Sequence, residues 1–279
     1  MVNIKVENDD ILLDYLLKNT DYSRNKIKSL IKYKSITLNN NNNVKYDTKL
    51  KKGQVISISL EKKDTKIGNI DIVYEDDTFL VVNKPSGMLT VATDKEKNRT
   101  LYHLVREYVK SKNKYQKIFI VHRLDKETCG LVLFSKDERV KLMLQENWEK
   151  LAVRREYCAV VKGIMTKKKD RLVSYLKENR ENITYSTNDQ SGKKAITNYV
   201  VKKENNNSLL TILIETGRKN QIRVQLNDIG YPIIGDKKYG NIKGKKLLLC
   251  ANHLEIKHPL TGKIMKFEVN IPREFLRNL

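Results

Sequence analysis

The hydrophobic positions of the first sixty residues follow two helical patterns and then a strand pattern. In DDILLDYLLKN, leucines recur at helical spacing from Leu12 onward, behind an aspartate that can cap the helix. In SRNKIKSLIKYK, Ser23 can cap a second helix, with Ile27 and Leu30 on its apolar face. The stretches SITLN and KKGQVISISL then follow strand patterns, the second alternating apolar and polar residues. The pattern predicts a small α/β domain over residues 1–62.

A second pattern begins after the polar segment EKKDTKIGN (61–69), which we interpret as a linker. DIVYEDDTFLVVNKPSG is typical of a hairpin, and Ser135 with Glu138 forms a capping-box pattern that predicts a helix reaching about Lys150. Strand patterns recur at REYCAVVKG, SLLTILIET, KLLLCANHLEI and KIMKFEVNI. Strands mixed with helices predict an α/β (α+β) domain over residues 70–279, with a mixed, mostly antiparallel sheet.

The net charge of the chain indicates which kind of molecule it binds. The 279 residues include 55 Lys and Arg against 33 Asp and Glu, a formal net charge of +22. Such a surplus attracts polyanions, because each neutralised phosphate releases condensed counterions. Arg24, Lys28 and Lys32 recur every four residues and make a basic stripe with no acidic residue at the flanking helical positions. We interpret this stripe as RNA-binding, although basic stripes on helices are often only solvated faces.

Several other classes of protein fit the sequence poorly. No run of 18 apolar residues predicts a membrane span, and the polar start does not resemble a signal peptide. The three cysteines lie far apart and form no CxxC pair, so we expect neither disulfides nor a zinc site. Gly230 and Gly235 have the spacing of a Walker A loop, but Asp236 occupies the lysine position. We therefore expect a cytoplasmic protein without metal or nucleotide cofactor.

The stretch VHRLDKETCGLVLF concentrates charge between two runs of β-forming residues. His122, Arg123 and Asp125 fall within four positions, with a glycine shortly after them. An aspartate after a strand usually makes a loop ion pair or an Asx turn. Alternatively, a neighbouring guanidinium can hold the carboxylate ionised, ready to act on a sugar or a base. These four residues alone leave both interpretations open.

Four ordered blocks resemble one enzyme family. HRLDKETCGLVLFSKD is similar to the catalytic motif of the RluA-type pseudouridine synthases. VVNKPSGMLTV (81–91), REYCAVVKG (155–163) and ETGRKNQIRVQLNDIGYPIIGDKKYG (215–240) resemble three further blocks of that family in the same order. Residues 8–60 resemble the S4-type RNA-binding domain, and an S4-type domain in front of this catalytic domain is a known family arrangement.

The resemblance implies a reaction and roles for particular residues. The family cleaves the N1–C1′ bond of a uridine in RNA, rotates the uracil and closes a C5–C1′ bond, without cofactor or metal. Asp125 corresponds to the essential carboxylate, acting as nucleophile or as base. Arg223 is the cation that we expect to keep it charged, on a helix predicted over QIRVQLNDI. Tyr157 is expected to stack on the flipped base and to assist the final loss of the C5 proton, and Arg123 to contact the RNA backbone or fill the vacated stack.

The sequence leaves the RNA target and the alternative functions open. Many members read GRTHQIR where this chain has Asn220 in place of the histidine, and TVATDKEKN replaces the common segment after Lys84 and Pro85. The target is ribosomal RNA or transfer RNA, and the S4-like domain favours large-subunit ribosomal RNA. We expect the enzyme to be a monomer. A non-catalytic S4-type ribosome assembly factor is the alternative function. A glycoside hydrolase would require two carboxylates in motifs, and only Asp125 stands in one.

Overall fold

The computed structural model consists of two compact units, Met1–Thr65 and Lys66–Leu279. The structure describes residues 2–32, 35–39, 41, 44–58, 65–93, 96, 98–187, 189–241 and 246–279, without the side chains of residues 2, 29, 32 and 65. Each unit encloses its own hydrophobic core. Within the described residues, no helix combines the length and the apolar character needed to cross a bilayer.

In its described residues, the first unit has two helices and five short strands. Its β5 strand pairs in antiparallel fashion with β1 and with β3, and β2 pairs with β4. The core includes the fully buried Leu12, Leu16, Ile27 and Ile56, as the helical and alternating patterns predict. The elements are β1 (Val2–Lys5), β2 (Asp10–Ile11), α1 (Leu12–Asn19), α2 (Arg24–Lys32), β3 (Ile36–Leu38), β4 (Lys49–Leu50) and β5 (Val55–Ile58).

The helix starts of this unit agree with the sequence only in part. The Ser23 hydroxyl accepts a hydrogen bond from the Lys26 amide (3.3 Å) at the start of α2, as predicted. The aspartate cap predicted for α1 is wrong, since Ile11 is the N-cap residue and no side chain caps it. Asp10 lies in β2, and its carboxylate accepts a hydrogen bond from Lys18 Nζ at 2.8 Å instead.

The second unit is built on a large sheet with helices on both faces. Its elements are β6 (Thr65–Ile67), β7 (Ile70–Glu75), β8 (Phe79–Lys84), α3 (Leu101–Lys112), β9 (Phe119–Ile120), β10 (Cys129–Ser135), α4 (Glu138–Glu146), α5 (Trp148–Leu151), β11 (Arg154–Lys162), β12 (Lys169–Glu178), β13 (Thr184–Thr187), β14 (Lys193–Glu204), β15 (Asn207–Ile214), α6 (Gln221–Asp228), β16 (Leu249–Lys257), β17 (Ile264–Glu268) and α7 (Arg273–Leu276).

The sheet is mixed and mostly antiparallel, which confirms the predicted fold class. Across the described part of the chain it has twelve strands, in the order β13-β12-β14-β15-β11-β16-β10-β8-β7-β6, with β17 added on β16 and β9 on β10. Only β10 and β16 are parallel among the strand pairs whose register is described. Alternate residues of β8 and β10 enter the cores on opposite faces, which explains the continuous apolar runs FLVV and LVLF.

Two local predictions for this unit are wrong. Part of the expected linker, Thr65–Ile67, is strand β6 of the large sheet, while residues 61–64 lie outside the described residues. Ser135 does not cap α4, because it still pairs with Phe79 in the sheet. The cap is Asp137, whose Oδ1 accepts from the Val140 amide at 3.0 Å. The helix ends at Glu146, and the short α5 follows.

Gly130 sits where the loop after β9 enters β10 and where the parallel strand β16 approaches. Its φ angle is +114°, and an added Cβ would lie 2.2 Å from the carbonyl oxygen of Ala251. Gly130 is the register partner of Ala251. Only glycine tolerates both this φ and this approach, so the glycine that follows the HRLD motif permits the parallel pairing.

We therefore expect Gly130→Ala to lower the free energy of unfolding by roughly 2–5 kcal/mol, the sum of backbone strain and overpacking. The fluorescence of Trp148, the one tryptophan of the chain, measures unfolding of this unit in urea. Gly163→Ala is the matched control, because Gly163 has φ +82° but open space around a Cβ. The control should lose only about 1–2 kcal/mol. Equal losses in the two variants would contradict the importance of the close approach to β16.

Candidate active site

The HRLD residues occupy the loop between β9 and β10, and each points to a different environment. His122 Nε2 accepts a hydrogen bond from the Leu133 amide (3.1 Å), and its ring stacks on Trp148. Burial, with the positive charge of Arg155, lowers the pKa of His122 to about 4, so the imidazole is neutral near pH 7. His122 therefore anchors the loop, whereas Arg123 is exposed and Asp125 is half-buried.

Hydrogen bonds hold the backbone on both sides of Asp125. The Thr90 hydroxyl donates to the carbonyl of Leu124 (2.7 Å) and accepts from the amide of the same residue (3.2 Å). The amide of Gly87 donates to the carbonyl of Lys126 (2.9 Å). The segment that follows β8 therefore fixes the loop from one side, and the sequence block 81–91 packs directly against the HRLD block.

The side chain of Lys84 also connects the segment after β8 to the loop that carries Asp125. The side chain is fully buried, and its ammonium donates to the carbonyls of Pro85 (3.1 Å), Met88 (2.8 Å) and Lys126 (3.0 Å). Burial lowers the pKa of Lys84 to about 8, against the opposing effect of nearby acidic groups that include Asp125. The ammonium is thus still mostly charged at pH 7. Sequence reasoning did not single out Lys84, although a lysine that ends an apolar strand was a signal.

A cavity of about 330 Å³ brings the sequence-predicted residues of this unit together. Arg123, Asp125, Tyr157 and Arg223 all line it. The structure shows no hydrogen bond to the Asp125 carboxylate from any described residue, and Asp125 lines the cavity. Burial, opposed by Arg155 and reinforced by Asp125, raises the pKa of Tyr157 to about 12. The phenol therefore keeps its proton at neutral pH and can stack or donate a hydrogen bond.

Arg223 lies in the first turn of α6, lines the cavity and is bound mainly by Asp236. Its Nε and Nη2 donate to the two carboxylate oxygens of Asp236, each at 2.8 Å, and Nη1 donates to Asn220 Oδ1 at 3.0 Å. Burial alone would lower the pKa of Arg223, but the hydrogen bonds and charge of Asp236, and then the charge of Asp125, raise it. Arg223 acts on Asp125 through space, since its guanidinium fork belongs to Asp236.

Asp236 and Asn220 both accept hydrogen bonds from Arg223, although the sequence predicted this for neither of them. Asp236 appeared only as the residue that excludes a Walker A loop, yet it is 1% exposed and orients Arg223. Asn220 occupies the position at which many similar sequences carry histidine. It has φ +54°, the left-handed region that asparagine tolerates better than most residues, and it is the N-cap of α6. Although asparagine replaces the common histidine here, Asn220 still accepts a hydrogen bond from Arg223.

The basic stripe belongs to the first unit. Arg24 and Lys28 are exposed on α2, and the neighbouring face of the helix buries Ile27. Arg24 Nη2 lies 4.0 Å from an Asp14 oxygen on α1, a contact that helical spacing within α2 did not predict. The side chain of Lys32 lies outside the described residues. In the described part of the chain, no group of three His, Cys, Asp or Glu side chains could hold a metal ion.

Comparison with known proteins gives this arrangement a family. The profile of the RNA pseudouridylate synthase family matches residues 78–228. The chain belongs to the RNA pseudouridine synthases. It is therefore an RNA-modifying isomerase, and the predicted resemblance to the RluA type is confirmed.

Named relatives and solved structures agree with this assignment. An uncharacterized RNA pseudouridine synthase of Bacillus subtilis, YhcT, is 32% identical over 82% of this chain and 79% of its own. The ribosomal large subunit pseudouridine synthase D of Haemophilus influenzae is 30% identical over 93% and 86%. The fold is similar to that of human RNA pseudouridylate synthase domain containing 4, with a TM-score of 0.63, 21% identity and coverage of 75% and 91%.

The role of Lys84 leads to a prediction in which activity and stability change in opposite directions with pH. The pKa of Lys84 falls from its ordinary 10.5 to about 8 on folding, so between these values the unfolded chain binds more protons. The contribution of Lys84 to the free energy of unfolding should then rise with pH. Activity should fall over the same range, because the loop beside Asp125 loses the ammonium that holds it. Urea unfolding and initial rates on RNA measure the two effects.

Lys84→Met should lower kcat about 10- to 100-fold near pH 7, as expected for a displaced catalytic group. The difference between its unfolding curve and that of the wild type isolates the titration of Lys84 from other groups. Lys126→Met is the control, since it removes an exposed ammonium from the same loop. A kcat for Lys84→Met equal to that of Lys126→Met would show that the buried ammonium does not position Asp125.

Proposed function

We propose that this enzyme isomerises specific uridines of RNA to pseudouridine through the carboxylate of Asp125. The observation that supports this most strongly is the cavity in which Asp125 meets Tyr157 and Arg223 while its oxygens lack a described protein partner. A space of about 330 Å³ suits a single nucleoside and not a folded duplex. The target uridine must therefore leave its stack, which costs a few kcal/mol of unstacking energy.

The chemistry assigned to Asp125 requires a charged carboxylate. As a nucleophile it would attack C1′ as the N1–C1′ bond breaks, and the resulting ester would break when C5 of the rotated uracil attacks C1′. As a base it would take a ribose proton as the N1–C1′ bond breaks, and would return that proton when C5 bonds to C1′. In either case the C5 proton then leaves to solvent. Arg223 directs its guanidinium fork at Asp236 and does not occupy the Asp125 oxygens. This arrangement leaves both oxygens available to the ribose.

Tyr157 and Arg123 have roles in binding. Tyr157 lies on the rigid strand β11 and keeps its proton, so we assign it to stacking on the flipped uracil. The resemblance also implies that it assists the loss of the C5 proton, and we keep this as a second role for Tyr157. Arg123 is exposed at the cavity, where its planar fork suits an RNA phosphate or the space that the flipped base vacates.

We further propose that residues 1–62 form an S4-type RNA-binding domain in front of a catalytic domain over residues 70–279. The exposed Arg24 and Lys28 on α2 support this, together with a local surplus of eleven Lys and one Arg over seven acidic residues. Large-subunit ribosomal RNA is the favoured target, because several relatives of about 30% identity are named ribosomal large subunit pseudouridine synthases. Transfer RNA is the alternative target.

The catalytic proposal predicts a specific loss in Asp125→Asn. The amide keeps the size of the side chain but is a poor nucleophile and base, so tritium release from RNA labelled at uridine C5 should fall below detection. RNA affinity should stay within about twofold, because no positive charge is removed from the RNA-binding surface. The wild type should release tritium in the presence of EDTA without added nucleotide.

Glu127→Gln provides the control for charge removal, since Glu127 is exposed in the same loop and does not line the cavity. It should keep wild-type activity. Mapping pseudouridine in RNA from cells with and without the gene then identifies the target. Wild-type rates in Asp125→Asn would mean that HRLD is only a structural turn, and a site in transfer RNA would reject the ribosomal target.

The RNA-binding assignment of the first unit predicts a change in salt dependence. Changing Arg24, Lys28 and Lys32 together to alanine should weaken RNA binding, and the slope of log K against log salt should fall by about 0.7–0.9 for each phosphate that the stripe no longer neutralises. Filter binding at several salt concentrations measures this slope. The triple variant Lys45, Lys49 and Lys51 to alanine removes the same charge elsewhere on this unit and should change the slope less. If the two triple variants showed the same slope, the stripe would be an ordinary solvated helix face and not an RNA-binding surface.

A further inference from the structure

A second and larger cavity adjoins the one that contains Asp125. Its volume is about 610 Å³, within the range of small-molecule sites. Tyr157, Gly217 and Arg218 line both cavities, so the two share a wall. The proposed reaction places one uridine beside Asp125 and uses no cofactor, which leaves this larger cavity without an assigned occupant.

Among the basic residues that line this cavity, Arg155 is the buried one, and it lies on the same strand as Tyr157. Arg155 is 7% exposed, its Nη2 donates to the carbonyl of Glu215, and its buried Nε has no hydrogen-bond partner. No carboxylate of a described residue lies within ion-pair distance of it, whereas the neighbouring Arg218 lies 3.6 Å from Glu149. A buried guanidinium without a carboxylate carries a desolvation penalty that a bound anion relieves.

The adjacent residue of the same strand, Arg154, has a different environment from Arg155. Successive side chains of a strand point to opposite faces, so Arg154 is exposed and its Nη2 lies 2.6 Å from the Glu156 carboxylate. Arg154 lines neither cavity. The chain therefore satisfies one arginine with a carboxylate at the surface and leaves the next one, inside the cavity, without such a partner.

An aromatic pair forms another part of the cavity lining. Trp148 stacks on His122 with ring centroids 4.8 Å apart and planes inclined by 25°. His122 cannot rotate freely, since its Nε2 accepts the Leu133 amide, and Trp148 is half-buried. Aromatic faces of this kind bind nucleic-acid bases by stacking, with little dependence on sequence.

We propose that this second cavity binds the nucleotide joined directly to the target uridine, with a phosphate at Arg155 and the base against Trp148. The inference rests on the proposed function, because it requires a uridine in the first cavity. The shared wall at Tyr157 and Arg218 suits two consecutive nucleotides of one strand. The enzyme then binds two unstacked nucleotides, and binding of the neighbour offsets part of the unstacking energy of the target.

A chemical double-mutant cycle tests the phosphate contact. The probes are synthetic versions of the shortest RNA that the wild type converts, with an uncharged methylphosphonate at the linkage on either side of the target uridine. Single-turnover rates against enzyme concentration give the apparent dissociation constant. One of the two probes should bind the wild type about tenfold more weakly, as expected for loss of a charge-assisted hydrogen bond.

Arg155→Gln should bind the unmodified RNA about tenfold more weakly and should not distinguish it from that probe. Arg154→Gln, which removes the same charge from the same strand, should behave as the wild type. If the losses from Arg155→Gln and from the probe multiply, or if neither probe weakens wild-type binding, the phosphate site is rejected.

A second cycle keeps the inference testable if Arg155→Gln does not fold. Trp148→Ala is combined with RNA that carries an abasic residue at the position next to the target uridine. Each change alone should weaken binding by a similar factor, and the two together should weaken it no further. Multiplying effects would reject the base site. A wild type that converts some RNA but fails both cycles rejects only this inference, whereas a wild type inactive on all RNA rejects the proposed function and this inference with it.

Discussion

The buried ammonium of Lys84 joins the two segments that shape the reaction site. It donates to Pro85 and Met88 on its own side and to Lys126, 42 positions away, on the other. An ammonium has three donors and no acceptor, so three carbonyls satisfy it completely. The carbonyl of Lys126 also accepts a hydrogen bond from the Gly87 amide, so the segment after β8 holds it by two contacts. Asp125 is held in place because the residue that follows it is one of the three.

The second constraint lies across the cavity, where Asp236 binds the fork of Arg223. A direct bidentate pair between Arg223 and Asp125 would occupy the oxygens that reach the ribose in the reaction we propose. The pair with Asp236 keeps the positive charge rigid and nearby and leaves Asp125 unoccupied. Removing one member of such a buried pair costs about 3–5 kcal/mol. Two buried cations therefore lie at the candidate site: Lys84, bound to the backbone beside Asp125, and Arg223, bound to Asp236.

The two cavities together suggest how the enzyme can recognise RNA by its conformation. The first accepts a single nucleoside and the second, by our proposal, its neighbour, so a strand must be locally unstacked to fill both. Proteins commonly recognise RNA through such splayed nucleotides in loops. Tyr157 on β11 and the segment around Arg218 contact both spaces. Binding of the neighbour and presentation of the target uridine would then be coupled through these residues.

Sequence patterns alone determined the elements that depend on neighbours along the chain. The alternation in β5, the Ser23 cap and the helix that carries Arg223 follow from spacing, and the ordered blocks identified the family. The tertiary structure decided which charges meet. Lys84 contacts Lys126, and Arg223 contacts Asp236, because strands and loops distant in sequence converge there. Local periodicity reports which face a residue occupies, but the partner of a buried charge depends on long-range packing, and no pattern of spacing contains it.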